Sequence, residues 1–327
     1  MGWTWKDLTL AAGATDDVTY GAAGPEIDAY VFAAQGTRHV NYFNGNGEII
    51  ELWWDSNGWH HNNLSVAANA PRALTAPNGY MFDAQGTQHV NYIGDDFHIH
   101  ELWWHGNRWH HNDLTNATGL PSGLGLGPGE FGVTGYVFAG QGTQHVNYAA
   151  NGTGTNGHII ELWWDSNGWH HNDLTIAAGA TVAADSVPRG YVFEGQGTQH
   201  VIYRGTDFHI HELWWDSNGW HHHDLTTAAG APLAKGLANG GSIFGVSGYM
   251  FNAQGTQHVN YWGQDHHIHE LWWDSSNGWH HNDLTIAAGA PAVTRVGAVP
   301  TGYAIGGAQY VVYRDDNVHA TELSWVP

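Results

Sequence analysis

A six-bladed, all-β propeller of four-stranded blades is predicted by three features of the 327-residue sequence. One stretch is copied five times, a sixth copy is split between the two ends, and short strand patterns recur at a regular pitch. The clearest copy is Gly190–Thr226, GYVFEGQGTQHVIYRGTDFHIHELWWDSNGWHHHDLT, and near-identical copies begin at Tyr30, Tyr80, Tyr136 and Tyr249. The pitch from copy to copy is 50 to 58 residues, which suits four short strands and a crossing. The start, GWTWKDLTLAAGA from Gly2, matches the end of a full copy, GWHHNDLTIAAGA at Gly278–Ala290. The last 26 residues, Gly302–Pro327, form a copy that stops near where that orphan begins. The two ends sum to a sixth unit, which predicts closure by pairing of Trp3–Thr9 with Thr321–Trp325 and removes the sheet edges between first and last blades.

Within a unit the strands follow from alternation and β-branched or aromatic content. Tyr191–Phe193 begins the first, Gln199–Tyr203 is the second and His209–Trp215 the third. Asp216-Ser217-Asn218-Gly219 reads as a tight Asn-Gly hairpin leading to a fourth strand over Trp220–Thr226. Linkers rich in Ala, Gly and Pro, such as Leu120–Gly135 and Ala229–Gly245, carry no sustained helical period and read as blade-to-blade crossings. One propeller domain is expected over 1–327, with blades at approximately 30–65, 80–115, 136–175, 191–226, 249–285, and 303–327 plus 2–9.

Charged residues make up 12% of the chain against a usual value of about 25%, as expected where strands are buried on both faces. Nine Lys plus Arg against 30 Asp plus Glu give a net charge of -21, which repels phosphate backbones and argues against a nucleic-acid partner. There is no Cys, hence no disulfide framework or thiolate metal site. No apolar run approaches a membrane span, so membrane insertion is not expected. The N-terminus lacks a basic region followed by an apolar core, so no classical signal peptide is expected, and the compartment stays open between the cytoplasm and release by another route.

Alternation also sorts the repeated polar residues. His200 and Ile202 share one face of the second strand; Ile210, Glu212 and Trp214 share one face of the third. The Glu recurs in all six units as Glu51, Glu101, Glu161, Glu212, Glu270 and Glu322. The His recurs in five (His39, His89, His145, His200, His258), as does the first Trp of the Trp pair (Trp53, Trp103, Trp163, Trp214, Trp272). The sixth unit has Tyr310 and Ser324 in their places. Such a set suits a sugar: a carboxylate accepts from two hydroxyls, an imidazole adds one more bond, and an indole face stacks on the apolar side of the ring. The competing reading is that His and Glu satisfy one another inside each blade, with Trp as filling between blades.

The order QHVNY, turn, HIHELWWD, turn, GW resembles the blade of the six-bladed fucose-binding lectins of the Aleuria aurantia lectin type. That resemblance implies sugar pockets between adjacent blades, built from a third-strand Glu, a second-strand Arg and aromatic residues. The six Glu match the family's Glu, whereas its Arg is replaced by the second-strand His or by Tyr310. The resemblance therefore implies a multivalent lectin with glycans or glycoconjugates as partners and no cofactor; a homodimer is left open.

Two further classes compete with it, besides a pure interaction scaffold. His98 with His100, His209 with His211, and His267 with His269 lie two apart on one face, opposite the Glu, and are candidate metal ligands that need donors from elsewhere. One of the paired His on the fourth strand, His221 or His222, is such a donor. Units one and three have Ile50 and Ile160 instead of the second His. An enzyme is not expected: no nucleophile triad, phosphate loop or zinc-protease helix is visible, and five near-equal sites are not how a single active site is built.

Overall fold

The computed structural model describes residues 6–15, 27–32, 34–126, 132–152, 154–236, 245–294, 299–305, 307–317 and 319–327. Its strands form six antiparallel sheets, five of four strands in consecutive order and a last one of three. These are the blades of a β-propeller. Blade four shows the pattern, with strands at Arg189–Phe193, Thr198–Arg204, Ile210–Asp216 and Gly219–Asp224. The second strands are the most buried, and every residue of Thr87–Ile93 and Thr256–Trp262 is shielded from solvent. The chain divides into two compact units, residues 1–146 with 162–171, and residues 147–161 with 172–327.

The fourth strand is shorter than the sequence predicts. It stops at Asp224, because the Asp224 carboxylate accepts from the amide of Thr227 and caps a short helix. Leu225 and Thr226 belong to that helix. Six such turns follow the same signal: α1 (Leu8–Ala12), α2 (Leu64–Ala68), α3 (Leu114–Ala117), α4 (Leu174–Ala177), α5 (Leu225–Ala229) and α6 (Leu284–Ala288), each capped by Asp or Asn. The Thr or Ser after the Leu has its own task in blades one to five. Thr226 Oγ1 accepts from the amide of Ile210 at 2.8 Å and anchors the start of the third strand; Ser65 does the same for Ile49. The hairpin between third and fourth strands also differs from the Asn-Gly expectation. Asp216 pairs with Gly219 across a Ser217-Asn218 loop, and the Asp216 carboxylate accepts from the Asn218 amide at 2.8 Å.

Several of these helices deliver their Leu to the blade that follows. Leu64 packs with Leu102 and Trp109 of blade two, and Leu225 with Leu271 and Trp279 of blade five. At the first strands the blades approach so closely that only glycine fits. A Cβ on Gly79 would come within 2.2 Å of the Tyr30 ring, and one on Gly248 within 2.5 Å of Tyr191.

In blade six the strands are Thr301–Ile305, Ala308–Arg314 and Ala320–Trp325. Of the closing strand expected over Trp3–Thr9, residues 3–5 lie outside the described residues, and Leu8 and Thr9 are helical rather than extended. The helix they begin, α1, packs Leu8 against Leu52 and Trp59 of blade one.

Candidate functional site

Cross-strand register puts the repeated residues on one blade face. In blade four Tyr191 lies opposite His200, His200 opposite Trp214, and Trp214 opposite His221, while Glu212 sits one step along the same face opposite Ile202. His200 Nδ1 meets Glu212 Oε1 at 2.8 Å and Nε2 meets Thr198 Oγ1 at 2.8 Å. Blades one, two and five repeat the His–Glu contact at 2.8 Å, through His39–Glu51, His89–Glu101 and His258–Glu270. These side chains are buried, as are His145 and Glu161 of blade three. The imidazole is thus occupied on both nitrogens in those four blades. It orients the carboxylate, with one nitrogen on the Glu and the other on the Thr of its own blade. The pairing inside the blade, the competing reading, describes this part of the geometry.

Aromatic rings continue the row. Tyr191 stacks on His200 with centroids 5.1 Å apart. Burial, and then the Glu212 carboxylate, hold its hydroxyl well above the ordinary phenol range. Trp214 stacks on His221 at 4.2 Å, and His221 Nε2 reaches Asp216 Oδ1 at 3.0 Å. Trp53, Trp103, Trp163 and Trp272 likewise stack on fourth-strand His at 4.1 to 4.4 Å. One face of each indole is therefore covered by protein.

The sixth blade lacks the relay altogether. Ala308 stands at the Thr position, Tyr310 at the His and Ser324 at the Trp. Tyr303 still stacks on Tyr310, at 5.3 Å. Glu322 is exposed, whereas the other five Glu are 2 to 5% exposed, so this Glu does not share their environment.

The Gln before the His, present in blades two to six, reaches the preceding blade. Gln144 donates to Glu101 Oε1 at 3.3 Å and Gln199 to Glu161 Oε1 at 3.1 Å. Gln257 accepts from the Tyr191 hydroxyl at 2.9 Å. Blade one has Arg38 instead, its guanidinium 4.2 Å from the centroid of Trp54.

Between blades five and six lies a cavity of about 430 Å³. Its polar and aromatic lining includes His258, Glu270, Trp272 and Asn282 from blade five and Gln309 and Trp325 from blade six. Its apolar lining includes Leu284, Ala287, Ala288 and Leu323. Glu270 uses Oε1 toward His258 and Oε2 to accept from Asn282 Nδ2 at 2.9 Å. Each oxygen keeps a lone pair for a further donor. Trp272 Nε1 is buried without a hydrogen-bond partner among the described residues. Trp325 is 47% exposed and meets Phe251 edge-on.

The sequence reading brought His258, Glu270 and Trp272 to this place and missed Asn282, Gln309 and Trp325. A signal for two of them was available. The Gln one residue before the His position recurs in five units, with Tyr310 after it in the sixth, and the Trp three residues after the Glu recurs in all six as Trp54, Trp104, Trp164, Trp215, Trp273 and Trp325. The candidate metal residues fall on the opposite face. His100, His211 and His269 are buried there, each stacked or tilted against the second-strand Tyr at 5.2 to 5.3 Å.

No protein-family model matches the sequence, and no curated protein is similar to it in sequence. Solved structures are similar in fold. The Aleuria aurantia lectin, described as a six-bladed β-propeller with a novel fucose recognition mode, superimposes at a TM-score of 0.58 and 16% identity, covering 92% of this chain and 91% of that one. A mutant of the same lectin in complex with alpha-methyl-L-fucoside gives 0.58 at 17% identity with the same coverage. The BP39L lectin from Burkholderia pseudomallei gives 0.68 at 15% identity, covering 90% of this chain and 79% of that one. At such identities the likeness establishes the six-bladed fold and leaves the ligand to be argued from the site.

Proposed function

We propose that the protein is a carbohydrate-binding propeller with sugar pockets between blades, and that it is not an enzyme. The observation that carries the reading is the cavity between blades five and six, in a fold that the solved lectins share. A pyranose matches its polar and aromatic lining. Hydroxyls donate to the remaining lone pairs of Glu270, a ring or hydroxyl oxygen accepts from Trp272 Nε1, and the exposed indole of Trp325 takes the apolar side of the ring. His258 holds the carboxylate in position and does not reach the sugar itself. On the resemblance, His takes the place of the fucose lectins' Arg, which would leave the pocket without a guanidinium fork and make fucose one candidate among neutral sugars. Repetition of the His, Glu and Trp in five blades favours weak sites that gain strength together on a glycan-coated surface.

We also propose that 1–327 form a single propeller domain. Support comes from α1, which packs Leu8 on blade one as α2 packs Leu64 on blade two. A glycan array with the full chain tests the lectin reading. Binding to a defined glycan set that Trp325→Ala and Trp272→Ala weaken at least about tenfold, the loss of roughly 1.4 kcal/mol of stacking or hydrogen bonding, is expected. An array with no signal above background removes it.

A further inference from the structure

The blade face opposite the Glu carries a second repeated cluster, in three blades only. In blade two His100 Nε2 meets Asp96 Oδ1 at 3.0 Å, and its Nδ1 meets His111 Nε2 at 2.9 Å. Beside it His98 Nδ1 meets Asp113 Oδ2 at 2.8 Å. Asp207, His209, His211, His222 and Asp224 repeat these contacts in blade four, at 2.8 to 3.1 Å. Asp265, His267, His269, His281 and Asp283 repeat them in blade five, at 2.6 to 3.0 Å. Donor atoms of Asp96, His98 and Asp113 in blade two lie within 4.8 Å of one another, as do those of Asp265, His269 and Asp283 in blade five, whereas among the described residues no three donors of the blade-four cluster come that close.

Blades one and three argue that folding does not require the cluster. Their Ile50 and Ile160 occupy the position of His100, His211 and His269 and are just as buried. A buried imidazole needs partners for its nitrogens, and in these three blades they are found in an Asp and a fourth-strand His, which gathers donor atoms that the Ile of blades one and three shows packing does not require. In blades one and three the fourth-strand His turns elsewhere, His61 to the carbonyl of Ala12 and His171 to that of Thr118. In the other three blades it faces the third-strand His. The two imidazoles meet nitrogen to nitrogen at 2.9 to 3.1 Å. Each cluster has an open side as well: the side chain of Asp96 is 43% exposed while that of His100 is 1% exposed.

We propose that each of the three clusters binds one divalent transition cation of the zinc class. Mixed imidazole and carboxylate donors suit such ions, whereas calcium and magnesium prefer all-oxygen sets. The bound ion joins the loop before the third strand to the end of the fourth. This site does not rest on the sugar reading, because none of its residues lines the cavity between blades five and six.

The test uses the full chain without an affinity tag, stripped with chelator and dialysed against micromolar free zinc, with bound metal counted by mass spectrometry. The expected count is three per chain. Asp265→Asn combined with His269→Ile, which copies the Ile of blade three, is expected to give two. Asn156→Asp combined with Ile160→His, which rebuilds the cluster around the existing His158–Asp173 pair, is expected to give four. Should the first variant fail to fold, the second decides alone. A wild-type count other than three, or a count of three that the rebuilt blade leaves unchanged, overturns the proposal.

Discussion

The clefts that open from blades two and three differ from the one that opens from blade five, although the same His–Glu motif builds them. In the first two, a Gln from the next blade lies on the carboxylate, with Gln144 on Glu101 and Gln199 on Glu161. In the last, Gln309 leans toward His258 at 3.4 Å, and Asn282 of the same blade takes the second oxygen of Glu270. The difference lies in the neighbour. A carboxylate capped from across the cleft is part of the joint between blades, and one capped from its own blade faces a cavity. An identical motif therefore serves cohesion in one place and is available for recognition in another.

The widest separation is expected between the buried pairs and blade six. His200→Ala leaves Glu212 as a buried carboxylate without its partner, and chemical denaturation is expected to show a loss of about 3 to 5 kcal/mol. Glu322→Ala, on the exposed face of blade six, is expected to stay within about 0.5 kcal/mol of wild type. Equal losses would show that the two faces are alike after all. A smaller contrast separates the clefts themselves. Gln199→Ala removes a buried bond to a charged acceptor and is expected to cost about 1.5 to 3 kcal/mol. Gln309→Ala, whose bond is longer and made to an imidazole, is expected to cost no more than about 1 kcal/mol and to act mainly on ligand affinity. The reverse order would place cohesion in the last cleft.

The smallest effect concerns the hairpins, which are common to blades one, three, four and five. Hydrogen bonds from His221 and the Asn218 amide hold Asp216 below the usual carboxylate range; Asp55 is held the same way by His60 and Asn57. In Asp165 and Asp274 the amides of Asn167 and Asn277 contribute most. A depressed carboxylate binds fewer protons folded than unfolded, so its contribution is complete above about pH 4 and is lost as pH falls through the folded value. Melting temperature is expected to be insensitive to these groups between pH 7 and pH 5 and to drop below about pH 4. Asp216→Asn should flatten that acid limb slightly, and an unchanged limb would remove this hairpin from it.

Much of the blade could be read from the chain because its signals are local. Alternation along HIHELWW places Glu212 and Trp214 on one face and His211 on the other whatever the neighbours do, and the register agrees. The Asp-Leu-Thr end of each copy was read as strand, since its cap becomes visible only when Asp224 is seen to accept from Thr227 and Thr226 from Ile210. The metal candidates were legible as pairs two residues apart. Their carboxylates were not, because Asp96 and Asp113 come from opposite ends of a hairpin and meet only after its strands pair.

What the sequence determined by itself is the repeat: six units, four strands in a full unit, and which residues share a face. Those follow from the two-residue period of a strand and from the count of copies, and they need no knowledge of the partner surface. The tertiary structure decided what each face meets. It joined His to Glu inside the blade, laid Gln144 and Gln199 over the next carboxylate, and left Glu270, Trp272 and Trp325 around a cavity. Alternation says that a side chain points out of the sheet; only the packed neighbour says whether it meets protein or a space of ligand size.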